Sequence, residues 1–402
     1  MSRLFFTSLC FLSSFGIGAA AEPVPRYFSA KPGALTKVKE KLAAGDKDLA
    51  RALKKLVADA DKALAETPPT VMSKEKLPPS GDKHDYMSLA PYFWPNPDTK
   101  DGLPYLRHDG KANPESRDPK ANDSPAIKMM GDLTETLSLA YYFTGRESYA
   151  GAAAKVARTW FLDPATRMNP HLKYAQAIMG LNDGRGTGIL DALHLSVAAD
   201  SLGLLADSRA WPKNDQKALK EWLGTYHDWL LESEPGRDEH GAKNNHGTFF
   251  DVQAVRLALV LGREDVAVRL LEEAKQSRIA LQIEPDGKQP LELARTTSFS
   301  YSRFNLEALT ELATLGEHAG VDLWNYTTGD GRSIRKAIDY MVPYADVPPK
   351  EWPLEQIKDK HEDQFMPIFR QAALAFETPA YEAIIAKYED SPVKRFQLLF
   401  VK

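Results

Sequence analysis

Lys243-Asn244-Asn245-His246 is followed about fifty residues downstream by Glu292-Leu293-Ala294-Arg295 and then Tyr301. Asparagine, histidine, arginine and tyrosine are the side chains needed to remove a proton next to a carboxylate. The C5 proton of a uronic acid sugar is only weakly acidic, because the neighbouring carboxylate already carries a negative charge. Donors from Asn245, His246 or Arg295 could neutralise that charge and stabilise the enolate that develops. A general base then takes the C5 proton and a general acid protonates the departing O4, so the chain breaks by β-elimination with no water consumed. Tyr301 suits both roles if Arg295 favours its phenolate. This chemistry needs neither a metal nor a cofactor. The nine histidines also include no His-x-His or His-Glu-x-x-His pair.

The elements that must position these residues read as helices. With 402 residues, 43% hydrophobic and 26% charged, the chain has the composition of a folded soluble protein. Apolar residues recur at helical spacing from Ala126 to Phe143, Tyr149 to Phe161, Ile189 to Leu205, Gln216 to Leu231 and Asp265 to Leu281. In the last of these, Val266, Leu270, Ala274 and Leu281 form one expected apolar stripe. The segment from Asp46 to Glu66 reads as a helix with a solvated charged face. Breaks such as Thr144-Gly145-Arg146, Asp163-Pro164 and Leu261-Gly262-Arg263 join neighbours tightly enough for antiparallel hairpins. With no fixed repeat period, the expectation is an all-α chain folded as an α/α toroid, an incomplete barrel of such hairpins. One catalytic domain is expected over residues 22–402, since no Ser/Gly-rich linker divides it.

Two stretches resist the pattern. Pro78 to Pro125 contains Tyr86, Tyr92-Phe93-Trp94-Pro95-Asn96-Pro97, Tyr105 and Arg107, and a loop this long is usually functional or disordered. Its aromatic content argues against disorder and suggests a lid over one end of the ring. The second stretch, Ile283-Glu284-Pro285-Asp286-Gly287, is a turn sequence leading into Glu292. At the amino terminus, Met1-Ser2-Arg3, an apolar run from Leu4 to Ile17 and Ala19-Ala20-Ala21 read as a signal peptide over residues 1–21, predicting a periplasmic or secreted protein. Cys10 is the only cysteine and lies in that leader, so the mature chain would carry no disulfide or cysteine metal site. No later segment reads as a transmembrane helix, and no membrane association is expected after cleavage. Lys and Arg total 51 against 55 Asp and Glu, without the basic surplus of nucleic-acid binders. An anionic polysaccharide would have to meet a local basic cluster.

Three segments in this order carry a resemblance: Ala90-Pro91-Tyr92-Phe93-Trp94-Pro95-Asn96-Pro97, Asn244-Asn245-His246, and Pro285-Asp286-Gly287 running on through Pro290-Leu291-Glu292-Leu293-Ala294-Arg295 to Tyr301. Together they resemble the alginate lyase superfamily, whose α/α-toroid members include polysaccharide lyase families five and thirty-eight. The six-residue step from Arg295 to Tyr301 is more similar to family thirty-eight, since the step in family five is one longer. The resemblance implies that Tyr301 is base and acid, that Arg295 holds its phenolate, and that His246 and Asn245 neutralise the uronate carboxylate. It also implies an additional asparagine from an earlier segment, for which Asn182 in Gly180-Leu181-Asn182-Asp183-Gly184 is the best match. The implied substrate is a polyuronate, mannuronate-rich alginate first and glucuronan second. In β-mannuronate and β-glucuronate the C5 hydrogen and O4 share one side of the ring, so a single tyrosine suffices for syn elimination. Guluronate presents them on opposite faces and would require a second group such as His246 as base.

Each residue also has a plainer reading. His246 could cap a helix, Tyr301 could pack with Phe299 and Phe304, Arg295 could pair with Glu292 one turn earlier, and Asn182 could be an ordinary turn residue. Tyr92, Trp94 and Tyr105 could stack on sugar rings or simply pin their loop. Arg107 and Arg185 could bind carboxylates of neighbouring sugars, with Asn244 beside the clamp. Other function classes remain open at this stage. A toroidal glycoside hydrolase would use two carboxylates from among Asp183, Asp191, Glu239 and Glu292, and a non-catalytic carbohydrate-binding protein would keep the aromatic loop without the chemistry.

Overall fold

The computed structural model describes residues 26–345, 347, 351–359, 362–387 and 395–402. The leader at 1–21, with Cys10, lies outside the described residues. The chain begins with α1 (Ala34–Ala43) and α2 (Lys47–Ala63), and Asp46 caps α2 by accepting from the backbone N–H groups of Asp48 and Leu49. There follow α3 (Ser124–Thr144), α4 (Glu147–Ala157), α5 (Leu193–Ser201), α6 (Lys213–Glu232), α7 (Glu234–His240), α8 (Asn245–Leu261) and α9 (Glu264–Ala274). The last five helices are the short α10 (Pro290–Leu293), then α11 (Ser298–Ala319), α12 (Ile334–Met341), α13 (Met366–Phe376) and α14 (Pro379–Lys387).

The helices form two layers. Contacts run in order from α3 to α5, α8, α11 and α13, while α4, α6, α9, α12 and α14 pack outside them. Sequence composition explains the division. Every residue of α8 from Gly247 to Leu259 is buried, its charged Asp251 and Arg256 being paired with Arg278 and Glu311, whereas α2 buries only the stripe Leu49, Ala52, Leu56, Ala60 and Ala63. Gly262 ends α8 in a left-handed conformation (φ 76°), which lets the chain reverse into α9. The ring is drawn together where the helical turn Arg395–Leu398 packs on α1 and α2 and where His318 at the end of α11 bonds the Ala30 carbonyl. This is the expected α/α toroid.

Two local expectations need correction. The stretch Gly186–Leu205 is long and apolar enough by length and composition to span a membrane, contrary to the sequence reading, but most of it is buried in the inner layer of helices. In the helix following Leu261, Leu270 and Ala274 are buried while Leu281 is 52% exposed. A π-helical turn at Lys275–Ala280 changes the angular step per residue, so Ile279 and Ile283 take the inward positions instead.

The stretch from Pro78 to Pro125 is ordered by short strands. β1 (Met87–Leu89) pairs in parallel with β4 (Tyr174–Ala177), and β2 (Phe93–Trp94) pairs antiparallel with β3 (Leu106–Arg107), setting Phe93 opposite Arg107. Its two ends are joined by a buried ion pair, Lys74 Nζ to Asp123 Oδ2 at 2.9 Å, and Asp123 also accepts from the Met87 N–H. A buried charge is tolerated when paired and hydrogen-bonded in this way, and Lys74 adds bonds to the carbonyls of Val71 and Lys83.

Candidate active site

The amino-terminal end of α8 is one half of the site. Asn244 is its N-cap, the side-chain oxygen accepting from His246 N–H at 3.3 Å, so that side chain is used to begin the helix. Asn245 follows at the first helical position and is 1% exposed. Glu292 of α10 accepts from the Asn245 backbone N–H at 2.6 Å and from its Nδ2 at 3.0 and 2.8 Å, leaving the amide oxygen without a partner. His246 turns Nδ1 to Glu239 of α7 at 2.6 Å, which directs Nε2 away from that carboxylate. The first backbone N–H groups of α8 are already taken, by Glu292, by the Asn244 side chain and by the Asn244 carbonyl, so a bound anion would have to be met by the side chains here and by the helix dipole. Burial raises the Glu292 carboxyl above its ordinary range, against the opposing effects of the Asn245 bonds, Arg295 and His246.

The other half is built where α11 begins. Arg295, just after α10, donates from Nη2 to the Tyr301 hydroxyl at 2.8 Å, and its guanidinium lies 3.7 Å from the Tyr301 ring centroid. Tyr301 in turn donates to the Tyr92 hydroxyl at 3.0 Å, so Tyr92 of the aromatic loop meets it through the hydroxyl. The sequence pairing of Arg295 with Glu292 is not formed. Arg295 instead donates to Asp109 from Nε at 3.1 Å and from Nη2 at 2.7 Å. Of its aromatic sequence neighbours, Phe299 packs on Trp352 and Phe365, and Phe304 on Phe249.

The electrostatics of this half differ from a ready phenolate. Burial pushes the Tyr301 hydroxyl well above its ordinary value, Tyr92 adds to the rise as neighbour and hydrogen-bond acceptor, and Arg295 only partly opposes them. Tyr301 at rest is therefore a neutral phenol at neutral pH. Burial alone would raise Asp109 too, but its bonds with Arg295 and Thr296 outweigh this and hold it at about 2.

The remaining sequence-predicted residues take several positions. Arg185 donates to the Gln176 backbone and side-chain oxygens at 3.1 and 2.9 Å and lies 5.4 Å from the Phe93 ring centroid, within electrostatic reach of Glu239, Asp191 and Arg107. Arg107 is exposed and pairs with Asp109 at 2.8 Å. Trp94 donates its indole N–H to the Lys111 carbonyl, and Tyr105 donates to Glu115, with burial and that bond pushing its phenol up to about 12. Asn182 is exposed, and its side-chain oxygen accepts from the Ile178 N–H within its own turn. No hydrogen bond joins Asn182 to Tyr301, His246 or Asn245 among the described residues.

Sequence reasoning missed Asp109 altogether and did not assign Glu292 and Glu239 as the partners of Asn245 and His246. The available signal was the pairing of each polar residue with a nearby carboxylate, but the long separation of Asp109 from Arg295 hides that pair. Gln176 was also missed. It holds a left-handed backbone (φ 49°) while bonding Ser88, Asp191 and Arg185, and so constrains Arg185. Of the four carboxylates a hydrolase could use, Asp191 accepts from Tyr86, Ser88 and Gln176, Glu239 holds His246 and Glu292 holds Asn245. The fourth, Asp183, is exposed. A separate cavity of about 660 Å³, lined by Phe28, Tyr142, Trp211 and Val260, lies toward the opposite end of α8 and contains none of these residues.

Comparison with known proteins gives a consistent result. A family model described as alginate lyase matches residues 70–352. The crystal structure of an alginate lyase from Bacteroides ovatus is similar, with 42% identity, TM-score 0.89, and coverage of 94% of this chain and 100% of that chain. An alginate lyase from a Sphingomonas species shares the fold at 17% identity and TM-score 0.60, covering 96% of this chain and 100% of that chain. A variant of that lyase complexed with tetrasaccharide has 16% identity and TM-score 0.63, with coverage of 95% and 98%. No curated protein matches the chain.

Proposed function

The chain belongs to the alginate lyase family and is a polysaccharide lyase, and from that premise we propose that it cleaves mannuronate-rich alginate by β-elimination at Tyr301. The observation that carries this reading is the meeting of the two halves. Glu292 bonds Asn245 and lies within electrostatic reach of both His246 and Arg295, so the Asn245–His246 start of α8 adjoins the Arg295–Tyr301–Tyr92 chain of hydrogen bonds.

His246, held through Nδ1 by Glu239, presents Nε2 to the uronate carboxylate at C6. Glu292 near a second carboxylate favours its own protonation, already promoted by burial. A protonated Glu292 can donate to the Asn245 oxygen after the amide turns, freeing Nδ2 for the substrate. Tyr301 first loses its hydroxyl proton to solvent; with the carboxylate neutralised, the resulting phenolate takes the C5 proton and the electron pair forms the C4–C5 double bond. The same proton passes from Tyr301 to O4 as the glycosidic C4–O4 bond breaks, which restores the phenolate. Arg295 stabilises that phenolate at 2.8 Å, opposing the burial that makes it scarce. Arg185 and Arg107 serve carboxylates of neighbouring sugars, and the Sphingomonas lyase complexed with tetrasaccharide is a precedent for an oligosaccharide on this fold. Export to a periplasm or beyond, proposed from the leader at residues 1–21, would place the enzyme where such polymers occur.

The test is digestion of poly-mannuronate, poly-guluronate and glucuronan followed by ultraviolet absorbance of the conjugated product. The highest rate is expected on poly-mannuronate. A higher rate on glucuronan would transfer the substrate assignment with the mechanism intact, whereas a preference for poly-guluronate would contradict the one-tyrosine syn route.

A further inference from the structure

Asp109 lies in the segment after β3 and is more fully engaged with Arg295 than Tyr301 is. Its carboxylate accepts from Arg295 Nη2 at 2.7 Å and Nε at 3.1 Å, from Thr296 Oγ1 at 3.1 Å, and from Arg107 at 2.8 Å. Arg295 Nη2 thus divides its hydrogens between Asp109 and the Tyr301 hydroxyl, 2.8 Å away. A bidentate carboxylate fixes the guanidinium in plane and compensates its charge. We propose that Asp109 is a positioning residue for the elimination: it aims Arg295 at Tyr301 while reducing the positive charge that Tyr301 experiences, and so sets the pH range in which Tyr301 gives up its proton. The proposal rests on Tyr301 being the proton-transfer group.

The charged and titratable groups around this pair come from every element packed against it. Tyr92, Arg107 and Asp109 belong to the aromatic loop, Glu292 and Arg295 to α10 and the residues after it, and His246 with Glu239 to the α8 and α7 side. Glu292 is hydrogen-bonded to Asn245, and among the described residues it is Asp109 that forms an ion pair with Arg295. Gly110 keeps Asp109 in place. Its backbone is left-handed (φ 72°), and a Cβ there would lie 2.6 Å from Thr296 Oγ1 and 3.0 Å from Ile357 Cδ1, so a larger residue is strained and displaces the Thr296 hydroxyl that bonds Asp109.

The experiment is kcat against pH on poly-mannuronate, followed by absorbance, for the wild type, Asp109→Asn, Asp109→Glu and Gly110→Ala, with folding checked by circular dichroism. Removing the carboxylate charge while keeping a hydrogen-bonding amide leaves Arg295 uncompensated. The rise in kcat should then move to lower pH by about one unit or more, with KM changed less than about threefold. Asp109→Glu should restore the wild-type profile, and Gly110→Ala should shift it in the same direction as Asp109→Asn. An Asp109→Asn profile that overlies the wild type, or moves to higher pH, overturns the assignment whatever the absolute rate. If that variant does not fold, Gly110→Ala carries the same test. Tyr301→Phe is run in parallel, because turnover retained there would defeat the proton-transfer reading itself, independently of Asp109.

Discussion

The proposed carboxylate clamp and the proposed proton-transfer pair are assembled differently. Asn245 and His246 begin a buried helix and are held by Glu292 and Glu239, which come from α10 and α7 of the helical body. Arg295 and Tyr301 also begin on the body, but their other partners, Asp109 and Tyr92, come from the loop between α2 and α3. The clamp is therefore built into the ring, whereas the pair is completed only when the loop is seated. Positioning and charge are separated between regions that can be disturbed independently.

That separation can be tested by substitution. Leaving aside the loss of Tyr301 itself, Arg295→Met should have the largest effect, on the order of a hundredfold in kcat with KM little changed, since it removes a charged hydrogen bond to the reacting hydroxyl. Steady-state kinetics on poly-mannuronate would show this, and an equal rise in KM would move Arg295 into the clamp. Glu239→Gln should lower kcat about tenfold and also raise KM, because the clamp contacts the carboxylate before reaction begins. Tyr92→Phe should cost only about fivefold. It should also move the rise in kcat to lower pH, because the Tyr92 hydroxyl now favours the neutral Tyr301 phenol. Asn182→Ala should leave kcat unchanged and cost less than about 1 kcal/mol in thermal unfolding, as an exposed turn residue would. A kinetic loss in that variant would bring Asn182 into the site.

The all-α toroid was legible because apolar residues recur at helical spacing and because turns such as Leu261-Gly262-Arg263 join the helices tightly, with no fixed repeat period. Arg295 and Tyr301 were legible as neighbours because six residues of local chain bring them together. Contacts that depend on distant segments were not. Asp109 meets Arg295 across 186 residues, and Glu292 meets Asn245 across 47, distances over which spacing carries no geometric information. The same limit explains Asn244, whose polar side chain looks available in sequence but is used as a helix cap. It also explains the phenolate expectation at Tyr301, since the adjacent arginine was visible and the burial, Tyr92 and Asp109 were not.

The central claim is that one tyrosine removes the C5 proton and delivers it to O4. Tyr301→Phe tests it most directly, with unsaturated product measured by absorbance and binding of oligomannuronate measured by calorimetry on the same preparation. Elimination should fall by roughly 10²–10⁴-fold while binding stays within a few-fold of the wild type. Elimination at an undiminished rate in a folded Tyr301→Phe protein would contradict the account.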